Sequence, residues 1–173
     1  MCKIIYIRHG KDERARHKYD EVLTEEGKIK SRELARKLLD LYGVPDIIYY
    51  SPYYRTRQTR KEMVKEIIRY KQEKGIDKRV EIVLEPRLGR FFTKRQSYDP
   101  DISRKTMKKG AIINERPEEF KDRVREQLED RKNEDYNLIW NITHTLVLLR
   151  TAEFSQISRS SHVEYSDYLV IDS

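Results

Sequence analysis

Cysteine is almost missing from these 173 residues: the one thiol, Cys2, follows the first methionine. That excludes an intramolecular disulfide framework and makes a disordered or half-buried thiol the expectation, with no role in the chemistry. Long apolar runs are missing too. No stretch approaches the ~18 apolar residues of a membrane span, and Lys3 to Ile7 starts a strand pattern with no charged leader or cleavage site ahead of it. A soluble, cytoplasmic chain with no membrane partner is the expectation. Repeats and low-complexity tracts are also missing, and the length suits one domain over residues 1–173, which leaves room for one site.

Charge is abundant. Asp, Glu, Lys and Arg make up 39% of the chain, against an average of about 25%, while apolar residues supply 37%. The runs alternate in sign, as in Lys11 to Arg16 and Lys28 to Lys37, and read as solvated helix faces. The net charge of +7 and pI near 9.3 favour acidic partners: phosphorylated substrates, nucleic acid or anionic surfaces.

The β-branched run Lys3 to Ile7 stops at Arg8-His9-Gly10, a buried strand delivering polar residues into a loop. Thr24 to Tyr42 carries Ile29, Leu34, Leu38 and Leu41 at roughly helical spacing, with Thr24 as N-cap and Gly43 as stop. Ile47 to Tyr50 reads as a second strand, ended by Ser51-Pro52, and a charged helix runs from about Tyr54 to Glu73. Val80 to Leu84 is a third strand, Pro117 opens a helix to about Lys132, and Leu138 to Ile142 is a strand ending in Thr143-His144. A helix follows through Leu146 to Leu149, and Tyr168 to Ile171 offers a last strand. This alternation predicts an α/β domain, a mostly parallel sheet with helices on both faces. Gly89 to Arg116 is basic, interrupted by Pro100 and weakly periodic, the pattern of a lid or insertion (89–116) over the strand ends.

Ligands of open α/β sheets bind beyond the carboxyl ends of the strands. Three ends here carry matching chemistry: Arg8-His9-Gly10, Arg55 just beyond Ser51-Pro52, and His144. A neutral imidazole can attack phosphorus while guanidiniums hold nonbridging oxygens and stabilise developing charge. His144 adds another oxygen contact, and the set calls for no metal and no cofactor. Singly, each residue has a plainer reading: Arg55 belongs to the basic cluster Arg55, Arg57, Arg60 and Lys61 of a solvated helix face, and His144 could be a hydrogen-bonded core histidine. Convergence at three strand ends favours the site. His17 and His162 lack metal-ligand spacing and are expected at the surface.

IYIRHG at Ile5 to Gly10, LTEEGKIKSRELARKL at Leu23 to Leu38, SPYYRTRQT at Ser51 to Thr59 and NITH at Asn141 to His144 are similar, in order, to motifs of the histidine phosphatase superfamily, in its phosphoglycerate mutase-like branch. The resemblance implies His9 as nucleophile, Arg8 and Arg55 as phosphate ligands, and His144 completing the pocket of a phosphoglycerate mutase-like fold. The activity implied is metal-independent hydrolysis of phosphoric monoesters through a phosphohistidine on His9, acting on a phosphorylated small molecule or a phosphoprotein.

Two departures matter. Where the family has a segment similar to EPxLxE, this chain has EPRLGR, so Arg90 stands where a proton-donating acid is expected, and Glu85 is the substitute acid to consider, with Asp12 and Glu13. After Gly10, Lys11 is the residue left to serve the phosphate as a point charge. The alternative function is a phosphate- or nucleic-acid-binding protein of the same fold with weak or lost catalysis. That reading draws on Arg87, Arg90, Lys94, Arg95, Arg104, Lys105, Lys108 and Lys109 interleaved with Phe91, Phe92 and Tyr98.

Overall fold

The computed structural model describes residues 2–13, 22–91, 115–158 and 163–173. In chain order the elements are β1 (Lys3–Arg8), α1 (Glu25–Tyr42), β2 (Ile47–Tyr50), α2 (Tyr54–Lys74), β3 (Glu81–Leu84), a 3-10 turn (Pro86–Leu88), α3 (Pro117–Lys132), β4 (Leu138–Thr143), α4 (Thr145–Phe154) and β5 (Tyr168–Asp172). The strands form one sheet in the order β3-β2-β4-β1-β5, parallel except for β5, which runs antiparallel to β1. Most of the basic stretch 89–116, His17 and His162 lie outside the described residues. Among the described residues no helix is long and apolar enough to cross a membrane.

Strand side chains alternate between two faces, and each face buries its own core. Ile4, Tyr6, Tyr49 and Ile139 pack with Val124 and Leu128 of α3 and Val147 and Leu148 of α4. Ile5, Ile7, Ile48 and Trp140 pack with Leu34 and Leu38 of α1 and Met63 and Ile67 of α2. The helices therefore sandwich the sheet as the alternation of elements predicts. Cys2 is buried in the first of these cores, a more enclosed place than its sequence position suggested, and burial pushes its thiol pKa up.

On α1 the buried stripe is Gly27, Ser31, Leu34, Ala35, Leu38 and Leu39, while Ile29 and Leu41 are exposed. The sequence pattern included those two because it counted apolar residues alone; the buried face is built partly from small ones. Thr24 caps the helix, its Oγ1 accepting from Gly27 N at 2.9 Å, and Gly43 ends it at φ 85°. The interface of α1 with α2 is largely ionic. Arg32 pairs with Glu62, and Arg36 with Glu66 at 3.5 Å and Glu73 at 2.6 Å, with both Glu62 and Glu66 buried. Part of the alternating charge read as a solvated face is thus the seam between two helices.

Register does the positioning. Arg8 of β1 lies opposite Thr143 of β4, and Tyr50 of β2 opposite Ile142. The next residue of each strand, His9, His144 and Ser51, leaves the sheet at one edge. Beyond His9 the chain squeezes between α1 and α2: a Cβ on Gly10 would sit 2.6 Å from Ser31 Oγ and 2.7 Å from Gly27 O, and one on Gly27 only 2.1 Å from Lys11 O. The last contact is with backbone, which cannot swing aside as a side chain can. Gly27→Ala should therefore cost at least ~1–3 kcal/mol of stability by overpacking, read as a lower urea midpoint; an unchanged midpoint would show that the loop can yield.

Candidate active site

His9 is 5% exposed, at the end of β1. Its Nδ1 lies 2.9 Å from the Gly10 carbonyl oxygen. A carbonyl can only accept, so Nδ1 carries the proton and the Nε2 lone pair faces the crevice. Arg55, in the first turn of α2 and 4% exposed, donates from Nε to that Nε2 at 3.1 Å. The other side of the same guanidinium reaches His144, with Nη2 3.3 Å from Nδ1. Because arginine can only donate, His144 accepts there, and its Nε2–H donates to Ser51 Oγ at 2.9 Å. One buried cation thus holds two neutral imidazoles whose ring centroids are 5.3 Å apart.

The electrostatics fix that protonation. His9 has its pKa pushed well down, first by burial and then by Arg55, against weaker upward pulls from the Gly10 carbonyl and Asp12. His144 is depressed by burial, then by Arg55, His9, Arg90 and Arg123. Two helices begin at this edge without an acidic residue in their first turns or a side-chain cap, α2 after Tyr53 and α4 after His144. Their positive dipole ends and spare N–H groups make the crevice an anion site.

Other side chains complete the rim. Arg8 stacks 4.0 Å over the Tyr165 ring and donates to the Val163 carbonyl, while its Nε is buried with no hydrogen-bond partner among the described residues. Tyr165 lies 5.8 Å from the His9 ring and Tyr53 4.8 Å from the His144 ring, centroid to centroid. Asp12 Oδ2 is 3.6 Å from Arg55 Nε. Thr59 Oγ1 accepts from Gly10 N at 3.0 Å and donates to Arg55 O at 2.9 Å. Ser51 and Thr59 are legible only as matches to a family motif, without a role; Tyr165 sits in an aperiodic segment that gives no signal.

Of the residues expected at the site, His9, Arg55 and His144 come together, with Arg8 at the rim. Lys11 does not join them: it is exposed, and its Nζ lies 2.5 Å from Glu26 Oε2 at the start of α1. Glu85 does not join them either. Its carboxylate accepts from Arg87 N, Nε and Nη2 at 2.9–3.1 Å and from Arg131 Nη2 at 2.6 Å. Burial alone would raise its pKa, but the hydrogen bonds from Arg87 and then Arg131 outweigh it and hold it below the usual range. A carboxylate fixed in its ionised form is a poor proton donor, so the reading of Glu85 as the acid is corrected: it anchors the end of β3 to α3.

Two outcomes follow. Glu85→Gln should destabilise the fold by about 1–3 kcal/mol, because the charge-assisted bonds from Arg87 and Arg131 are weakened while Arg131 keeps only Glu134 as a carboxylate partner; a melting temperature equal to the parent's would refute the anchoring role. For pH, imidazoles depressed in the folded state are neutral where unfolded ones, with pKa near 6.5, take up protons. Stability should therefore fall as pH drops below about 6.5, by up to about 1.4 kcal/mol per pH unit for each histidine. Urea titrations of His144→Gln between pH 5 and 8 should show a shallower slope than the parent chain.

The sequence model described as histidine phosphatase superfamily (branch 1) matches residues 4–153. A search of curated proteins finds no match. Among solved structures, the chain is similar to the ecdysone phosphate phosphatase EPPase from Bombix mori in complex with tungstate, at TM-score 0.69 and 15% identity, covering 100% of this chain and 90% of that one. It is also similar to the protein histidine phosphatase SixA complexed with tungstate, at TM-score 0.56 and 20% identity over 87% of this chain and 75% of that one. A phosphoserine phosphatase from Entamoeba histolytica in complex with phosphoserine gives TM-score 0.57 and 20% identity over 98% and 90%. At such identities the structural likenesses establish the fold, and the family model, matched across most of the chain, establishes the lineage: this chain belongs to the histidine phosphatase superfamily, branch 1.

Proposed function

We propose that this chain is a phosphatase that carries the phosphoryl group on His9 Nε2. One observation carries the reading: a buried, neutral His9 with its proton tied to the Gly10 carbonyl and its free lone pair held against the guanidinium of Arg55. The nucleophile is already deprotonated and already oriented.

When a phosphate monoester enters, its nonbridging oxygens replace the imidazole nitrogens as acceptors for Arg55, whose two edges face His9 and His144. Arg8 adds its unsatisfied Nε. Nε2 attacks phosphorus, the P–O bond to the leaving group breaks, and the electron pair leaves with that oxygen. The phosphorylated ring is then cationic, and its Nδ1–H donates to the Gly10 carbonyl more strongly. Water next attacks phosphorus, the P–N pair returns to Nε2, and the proton the water loses departs with inorganic phosphate. Membership of the superfamily supports the reading, as do similar structures named for an ecdysone phosphate phosphatase, a protein histidine phosphatase and a phosphoserine phosphatase. A phosphorylated small molecule or phosphoprotein is the substrate class proposed for this chain.

Rapid mixing with para-nitrophenyl phosphate, followed by an alkaline quench, should trap a phosphoenzyme that is stable to base and lost in acid. His9→Asn should abolish the trapped phosphate and lower turnover by on the order of 10³-fold or more. Turnover by the parent chain without any base-stable phosphoenzyme, or with an undiminished rate in the variant, would overturn the assignment. Polyanion binding with no turnover at all would instead favour the binding-protein reading.

A further inference from the structure

Resting on the phosphatase reading, a second question is what happens to the leaving group, and the segment that answers it is Glu85 to Arg90. Glu85 is consumed by its bonds to Arg87 and Arg131. Asp12, the other described carboxylate at the crevice, has its side chain buried with Oδ2 3.6 Å from Arg55 Nε. Both carboxylates are turned to guanidiniums. Arg90, by contrast, is delivered to the site by a rigid frame. Leu88 is fully buried, and its carbonyl accepts from Thr143 Oγ1 at 2.7 Å, immediately before His144. Gly89 N bonds to Pro86 O at 2.9 Å, and Gly89 O accepts from Arg123 Nη1 at 3.2 Å. Arg123 is itself locked by two bonds to Glu115, at 2.6 and 2.8 Å. The next residue is the half-buried Arg90, followed by Phe91, whose ring lies 5.1 Å from that of Phe120. The charge of Arg90 adds to burial, Arg55 and His9 in holding the His144 pKa down, which places it within reach of the crevice.

We infer that Arg90 is a catalytic residue that binds the departing group as an anion, and that the substrate class is the phosphoric anhydride, in which the leaving group is itself a phosphate. The chemistry follows from charge. An alkoxide leaves only when protonated, and a fixed cation supplies no proton. An amine or imidazole leaving from a phosphoramidate departs neutral or protonated, so a guanidinium gives it nothing and repels the protonated form. A phosphate leaves with its electron pair and no added proton, and it carries charge for Arg90 to hold before and after the P–O bond breaks. His9 Nε2 attacks the terminal phosphorus, the bridging P–O bond breaks toward the inner phosphate, and that phosphate departs on Arg90. Water then returns the P–N pair to Nε2 and leaves with the proton as dihydrogen phosphate.

The test measures kcat/KM for tripolyphosphate, phosphoramidate and glycerol phosphate with the parent chain, Arg90→Gln and Arg90→Lys, each first checked for native circular dichroism. The parent should prefer tripolyphosphate to glycerol phosphate. Arg90→Gln should lower the ratio of tripolyphosphate to phosphoramidate turnover by on the order of tenfold or more, and Arg90→Lys should restore part of it. A ratio that moves less than about twofold in Arg90→Gln overturns the inference, since uniform loss is what a merely structural arginine would give. Rapid glycerol phosphate turnover by the parent also overturns it, because that requires a proton donor. The base-stable phosphoenzyme reports separately: its absence from the parent with every substrate would instead remove the phosphohistidine reading beneath it.

Discussion

A guanidinium held between two imidazoles is an expensive thing to bury. Arg55 faces the lone pairs of His9 and His144, with Asp12 Oδ2 3.6 Å from its Nε. Removing such a cation from water costs several kcal/mol even after relaxation. Burial first, and then the charge of Arg55, hold the pKa values of both rings down. The register of β1 with β4, the start of α2 three residues after Ser51 and the glycine contacts around Lys11 all serve to keep that arrangement in place. Two hydrophobic layers sustain the strain, and the site gains a cation already stripped of water, ready to exchange weak neutral acceptors for phosphate oxygens.

The dense charge of the chain has the same logic in other places. Buried arginines recur away from the crevice, but those are matched by carboxylates: Arg123 with Glu115, and Arg131 with Glu85 and Glu134 while its guanidinium lies 3.5 Å from the Tyr49 ring. Arg131 also reaches Asn141 Oδ1, which accepts from Gln127 as well, and Gln127 in turn accepts from the Tyr6 hydroxyl. A polar network therefore runs beneath the sheet on the α3 side. It fixes β3, β4 and α3 relative to one another more specifically than oily contacts alone would. Arg55 sits in a different setting: those arginines meet carboxylates at contact distance, whereas Arg55 donates to the two imidazoles of the crevice.

Much of this was readable from sequence. Strand ends can be found from β-branched runs followed by polar residues, and parallel strands bring such ends together, so the sequence alone groups His9, Arg55 and His144. Helix limits followed from Thr24, Gly43 and Pro117, each with a local mechanical reason. What stayed hidden depends on pairings across long separations. Glu85 meets Arg131 over 46 residues and Arg32 meets Glu62 over 30, so neither the loss of Glu85 to an ion pair nor the ionic seam of α1 with α2 leaves any periodic trace. Lys11 was misplaced because adjacency to Gly10 in the chain says nothing about direction, and its ammonium turns outward to Glu26. The antiparallel run of β5 was equally silent, since a short strand reads alike in both directions.

The hydroxyl of Thr59 is shared by the loop that carries His9 and the helix that carries Arg55, accepting from one and donating to the other. A single oxygen thereby sets the spacing between nucleophile and anion clamp, groups 46 residues apart in sequence.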